Sequence, residues 1–139
     1  MKLKYILLIT AILLCKTALN AQVVIIANKS VSLSNVNKAK IVNIYSLTIK
    51  NGDNGEKIVL FDLKNDNITK SKFYSYIGKS NSDMKMVWMR AQLTGAGFAP
   101  TAVMSEEDVL TKVANTPGAI GYISAKLVDS SVKVLAKTE

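Results

Sequence analysis

The chain contains no histidine, and cysteine occurs once, at Cys15. Without histidine there is no Ser-His-Asp or Cys-His nucleophile pair and no His-containing metal site. A lone cysteine excludes an internal disulfide and any zinc-ribbon arrangement. Arginine is equally scarce. Arg90 is the single example, and the rest of the basic charge is lysine scattered along the chain. Nucleic-acid readers use arginine for bidentate contacts and cluster it with aromatic residues, so nucleic acid is set aside as a partner. No Gly-rich phosphate loop and no G-x-S-x-G elbow occurs. These absences point to a non-catalytic protein with no cofactor.

What is present describes one domain. The 139 residues are 49% hydrophobic and 20% charged, which is ordinary globular usage and too apolar for disorder. Met1-Lys2-Leu3-Lys4 followed by the apolar run Tyr5–Cys15 has the basic-then-apolar order of a secretory signal peptide. The run falls short of the ~20 apolar residues needed to cross a bilayer. Residues 1–21 are therefore expected to be a signal peptide cleaved after Ala21, with residues 22–139 as the exported domain, periplasmic or secreted. A lipid-acceptor role for Cys15 is the alternative, disfavoured by the bulky Leu14 before it. Cleavage removes Lys2, Lys4 and Lys16 and takes the net charge from +8 to +5.

Along the remaining chain, Val23–Ala27 and Lys57–Leu63 read as buried strands, because they are continuous apolar runs rich in β-branched residues. Ser34 is expected to cap a helix carrying Val36, Ala39, Val42 and Tyr45. Asn67 or Thr69 caps a second helix with Phe73, Tyr76 and Ile77 inward. Ser82 caps a third, with Met84, Val87, Trp88 and Ala91 on one face and Gly95 past its end. Met86 and Met89 join Met84 as packing residues with some exposure, and Arg90 is expected in a structural ion pair or stack. Ser105 opens a fourth helix whose Glu106, Glu107 and Asp108 suit the positive end of the helix dipole. Ala119–Ile123 and Val132–Leu135 complete the strands. Strands alternating with helices predict an α/β fold, a central mixed β-sheet covered by helices.

Four stretches, in this order, resemble the phosphate substrate-binding proteins of ABC transporters, within the type 2 periplasmic-binding superfamily. They are Leu33-Ser34 through Ile44-Tyr45-Ser46-Leu47; the strand Ile58–Leu63 with the following Phe73-Tyr74; Trp88-Met89-Arg90 with Leu93-Thr94-Gly95-Ala96-Gly97 and Pro100; and Val109–Val113 with Pro117-Gly118-Ala119-Ile120-Gly121-Tyr122. The last is the most distinctive. The resemblance implies a single periplasmic-binding-protein-like lobe over residues 22–139, corresponding to the second of the two lobes in full-size members. It further implies solute capture for an ABC importer, with phosphate or another small anion as ligand and an ABC permease as partner.

Full-size members end the strand equivalent to Ile58–Leu63 in an arginine that clamps phosphate, and a Ser-Gly-Thr follows at the next helix start. Here the aligned positions are Leu63, Asn67, Ile68 and Thr69, so only the threonine is kept. Losing the arginine removes a bidentate grip that lysine does not reproduce, and Ile68 obstructs the close backbone approach that glycine permits. Backbone N–H groups at a helix start still favour an anion. Asn67, Thr69 and Lys70 are therefore the candidate ligand residues, with Ser32 and Ser34 ahead of another helix as further candidates at the same cleft edge. The favoured competing explanation is that Asn67 and Thr69 simply cap the helix, that Lys64 and Lys70 are solvated, and that the serines serve loop and capping duty. Two functions follow: a solute-binding-type domain with weak anion binding, or a secreted interaction module that kept the lobe and gave up the ligand.

Overall fold

A computed structural model describes residues 22–138. The expected signal peptide, its cleavage point at Ala21 and Cys15 lie outside the described residues. Five strands, β1 (Val23–Ala27), β2 (Val59–Leu63), β3 (Thr101–Val103), β4 (Ala119–Ser124) and β5 (Lys133–Lys137), form one mixed sheet in the order β3-β2-β4-β1-β5. β2 runs parallel to β3 and β4, while β1 is antiparallel to β4 and β5. The helices are α1 (Lys38–Tyr45), α2 (Ile68–Ile77), α3 (Asn81–Leu93) and α4 (Glu106–Asn115). The expected α/β architecture, a central mixed sheet covered by helices, is the one found. Among the described residues, no helix is long and apolar enough to cross a membrane.

The strand alternation of β4 shows how both faces are covered. A side chain at Gly121 would meet Val109 and Val113 of α4. The next residue, Tyr122, stacks on Phe73 of α2 with ring centroids 3.9 Å apart. Successive strand residues point to opposite faces, so α4 covers one face and α2 the other. β1 and β4 are buried along their full length, as continuous apolar runs predict for strands covered on both sides. Trp88 fixes α3 through its indole N–H, which donates to the Tyr45 carbonyl at the end of α1 over 2.8 Å.

Three expectations of local structure are corrected. α1 is capped by Asn37, whose side chain accepts the Lys40 N–H, and not by Ser34. Its buried face is accordingly Ile41, Ile44 and Tyr45. α3 starts earlier than Ser82 because Ser80 and Asp83 form a reciprocal capping box. The edge strand β3 was not foreseen. Its three residues are a short extended segment that becomes a strand by pairing with Phe61–Leu63.

Gly118, within the Pro117–Tyr122 motif, has a structural explanation. Gly118 has φ +77°, and a side chain there would meet the Lys57 carbonyl oxygen at 2.2 Å. Its N–H donates to the Ser30 hydroxyl oxygen at 2.9 Å, and its carbonyl accepts the Val59 N–H at 2.9 Å. Only glycine combines that backbone conformation with that approach.

Candidate functional site

β2, β3 and β4 are parallel, so Leu63, Val103 and Ser124 end at one edge of the sheet. α2 starts from that edge after a short link, Lys64–Asp66. Asn67 caps it, its side-chain oxygen accepting the Lys70 N–H at 2.8 Å and its carbonyl the Ser71 N–H at 3.0 Å. The N–H groups of Ile68 and Thr69 remain unclaimed within the helix. Beside the helix runs a groove of about 450 Å³, bordered by Asp66, Asn67, Lys70, Ser71, Tyr74 and Lys79 among others.

Thr69 and Lys70, two of the expected ligand residues, are turned inward. The Thr69 hydroxyl is 3.2 Å from that of Ser124, and both residues are buried. The Ser124 N–H in turn donates to Glu106 over 2.6 Å, so the first turn of α4 is tied to the end of β4. Glu106 thus holds a specific partner as well as suiting the helix dipole. The Lys70 ammonium donates to the Leu63 carbonyl at 2.7 Å. It also lies 3.9 Å from the Asp62 carboxylate and 4.0 Å from that of Asp66.

Asp62 is the centre of this network. Tyr74 donates its hydroxyl to one carboxylate oxygen at 2.9 Å, and Tyr122 donates to the other. The Tyr122 oxygen also accepts the Leu63 N–H at 3.2 Å. Tyr45 joins from α1 with a 3.0 Å bond to the Phe61 carbonyl. Burial, reinforced by the Asp62 charge, pushes the hydroxyl pKa values of Tyr45, Tyr74 and Tyr122 well above the ordinary tyrosine range. All three therefore stay protonated and serve as donors. Sequence reasoning missed Asp62, although one acid inside the apolar run Val59–Leu63 was a readable signal. Lys70 and Tyr74, one helical turn apart on α2, were its counterpart.

Ser32 and Ser34 are not at this edge. The loop after β1 leaves the opposite end of the sheet, where Ala27 pairs with Ile120 and Asn28 bonds Ala119. There the Ser34 hydroxyl and N–H both donate to Asp53 at 2.7 Å, and the Ser32 carbonyl accepts the Asp53 N–H at 2.7 Å. The two bonds from Ser34 hold the Asp53 carboxyl below its usual pKa. The antiparallel pairing of β1 against β4 separates these serines from Asn67–Lys70. Arg90 is exposed and forms no ion pair among the described residues. Nor do the described residues contain a group of acids, cysteine or histidine able to hold a metal.

No family model matches the sequence, and no curated protein matches it significantly. Solved structures do match the fold. An ABC-type phosphate transport receptor from Vibrio cholerae superposes with a TM-score of 0.63 at 23% identity, over 81% of this chain and 44% of that one. A structure named as a phosphate ABC transporter substrate-binding protein from Clostridium perfringens, with phosphate bound, gives 0.66 at 20% identity over 81% and 43%. PstS from Borrelia burgdorferi gives 0.61 at 19% over 82% and 46%. The fold is that of a periplasmic-binding-protein-like lobe. This chain spans less than half the length of each of these structures.

Proposed function

We propose that the chain is an exported, non-catalytic binding lobe of the solute-binding type, associated with ABC import, that holds phosphate or another small anion only weakly. The observation carrying this reading is the inward turn of Lys70. Its ammonium serves the Leu63 carbonyl and two carboxylates, leaving the helix start with backbone N–H groups and no outward cation from the candidate set. Asp62 and Asp66 both lie within ion-pair distance of the Lys70 ammonium, so its charge is already engaged within the protein. Likeness of fold to phosphate receptors supports the ligand class and the ABC permease as partner.

A secreted interaction module is the second reading, and one observation favours it. Ile68 and Met104, which follow the ends of neighbouring strands β2 and β3, are 69% and 61% exposed. Large apolar side chains there suit contact with another protein better than a solvated anion.

Thermal unfolding of Gln22–Glu139 against phosphate, with sulfate and chloride at matched ionic strength, tests the proposal. A ligand at ~100 times its dissociation constant stabilises a fold by about 2.7 kcal/mol, which is several degrees for a domain of this size. Weak binding predicts a phosphate-selective shift only at millimolar concentration. A shift of several degrees at micromolar phosphate refutes weakness. No selective shift at tens of millimolar removes solute capture by the isolated lobe and leaves the interaction module.

A further inference from the structure

α3 is apolar on two opposite faces. Met84, Trp88 and Ala91 are buried against the core, while Met86, Met89 and Leu93 project outward with 57%, 57% and 82% of their surface exposed. The outward residues recur at i, i+3 and i+7, which places them on one crest of a helix. Exposed large apolar residues are ordinary when scattered, but a contiguous stripe opposite the buried face marks a contact surface. Lys85 flanks the crest on one side and Arg90 on the other, both exposed. The one acid on this helix, Asp83, is in the first turn and accepts the Ser80 N–H within the capping box.

We propose that this crest docks on an anionic lipid surface, with Met86, Met89 and Leu93 entering the headgroup boundary and Lys85 and Arg90 meeting the lipid charges. Three observations select that occupant. The cations on both flanks complement anionic headgroups, and the net charge of the whole chain is positive. A second copy packed crest to crest would set Lys85 and Arg90 against their own equivalents, which like-charge repulsion opposes. Met86, Met89 and Leu93 line neither the groove beside α2 nor the one around Lys50, Lys57 and Phe98, and a lipid surface requires no groove. The inference is independent of the anion reading at the sheet edge.

Co-sedimentation of Gln22–Glu139 with phosphatidylglycerol vesicles and with phosphatidylcholine vesicles tests it. Among the described residues the buried apolar cluster runs from Val23 to Val132, all within this segment. Binding to the anionic vesicles is expected to exceed binding to the neutral ones at least tenfold. The combined Met86→Ser, Met89→Ser and Leu93→Ser variant should lose at least tenfold, as should Lys85→Glu with Arg90→Glu. All these positions are exposed, and unchanged circular dichroism and melting temperature confirm that the variants fold. Absence of binding to anionic vesicles overturns the proposal, and so does equal binding by the triple-serine variant. A concentration-dependent dimer in sedimentation velocity, abolished by the triple-serine change, would assign the crest to self-association and overturn it as well.

Discussion

Replacing Tyr122 with phenylalanine removes one oxygen atom and isolates the centre of the buried network. The ring remains, and with it the near-parallel stack on Phe73 at an interplanar angle of 7°. Two bonds disappear: the one donated to Asp62 and the one accepted from the Leu63 N–H. The first is a hydrogen bond to a charged group, contributing roughly 1.5–3 kcal/mol, and an N–H left unpaired in the interior costs about 1–3 kcal/mol. Tyr122 is 1% exposed, so water offers no replacement partner. Tyr122→Phe should therefore destabilise by ~3–5 kcal/mol, a fall in melting temperature on the order of 10 °C or more. Tyr74→Phe removes one bond to the same carboxylate and leaves Lys70 nearby, so its cost should be about 1.5–2 kcal/mol. Urea denaturation of the two variants and the parent gives the comparison, with unchanged m-values showing that the denatured state is not at issue. A Tyr122→Phe cost within about 1 kcal/mol, or a Tyr74→Phe cost equal to it, would refute the two-bond account.

Other outcomes follow from the same geometry. Gly118→Ala should cost about 3 kcal/mol or more, since it combines a left-handed backbone with a clash on the Lys57 carbonyl, and should fail to give soluble protein at 37 °C if the domain is marginal. Lys70→Met should lose about 2–3 kcal/mol by leaving Asp62 and the Leu63 carbonyl short of a partner in the interior, while leaving phosphate binding at millimolar concentration unchanged in the thermal-shift assay. Because the folded-state pKa values of Tyr45, Tyr74 and Tyr122 are raised, the stability they contribute is complete below the unfolded tyrosine value of ~10 and is lost as pH climbs above it. Ultraviolet absorbance of phenolate should show these three ionising only together with unfolding, and ionisation of any of them in the folded state would count against the buried network. For Asp53 the sign is opposite: its lowered pKa makes the Ser34 contact a source of stability above the unfolded carboxylate range, lost as pH falls through the folded value, and Asp53→Asn should remove that acid-side dependence.

The elements of the fold were legible locally, and for a local reason. Apolar runs at Val23–Ala27 and Val59–Leu63 read as strands without knowledge of any neighbour, because burial on both faces demands unbroken hydrophobicity. Asn67 and Ser105 were readable because capping acts within one turn of helix. Where two cap candidates stood a few residues apart, local signals were insufficient: Ser34 lost to Asn37 once Asp53 had claimed its hydroxyl, and Ser82 lost to Ser80, which had Asp83 three residues on.

The chemistry of the sheet edge was decided by tertiary structure. Lys70 looked like an outward cation at a helix start. The register of β2 beside β4 brings Asp62 and Tyr122 together across sixty residues of chain, and the ammonium is drawn inward to the carboxylate they share. Ser32 and Ser34, close to a helix start in sequence, were carried to the far end of the sheet by the antiparallel course of β1. The sequence by itself determined which segments are strands and helices, because those depend on periodicity and on contacts within a turn. Which side chains meet at the edge, and whether a lysine there faces solvent or the core, depends on strand direction and pairing, which bring together residues far apart in the chain.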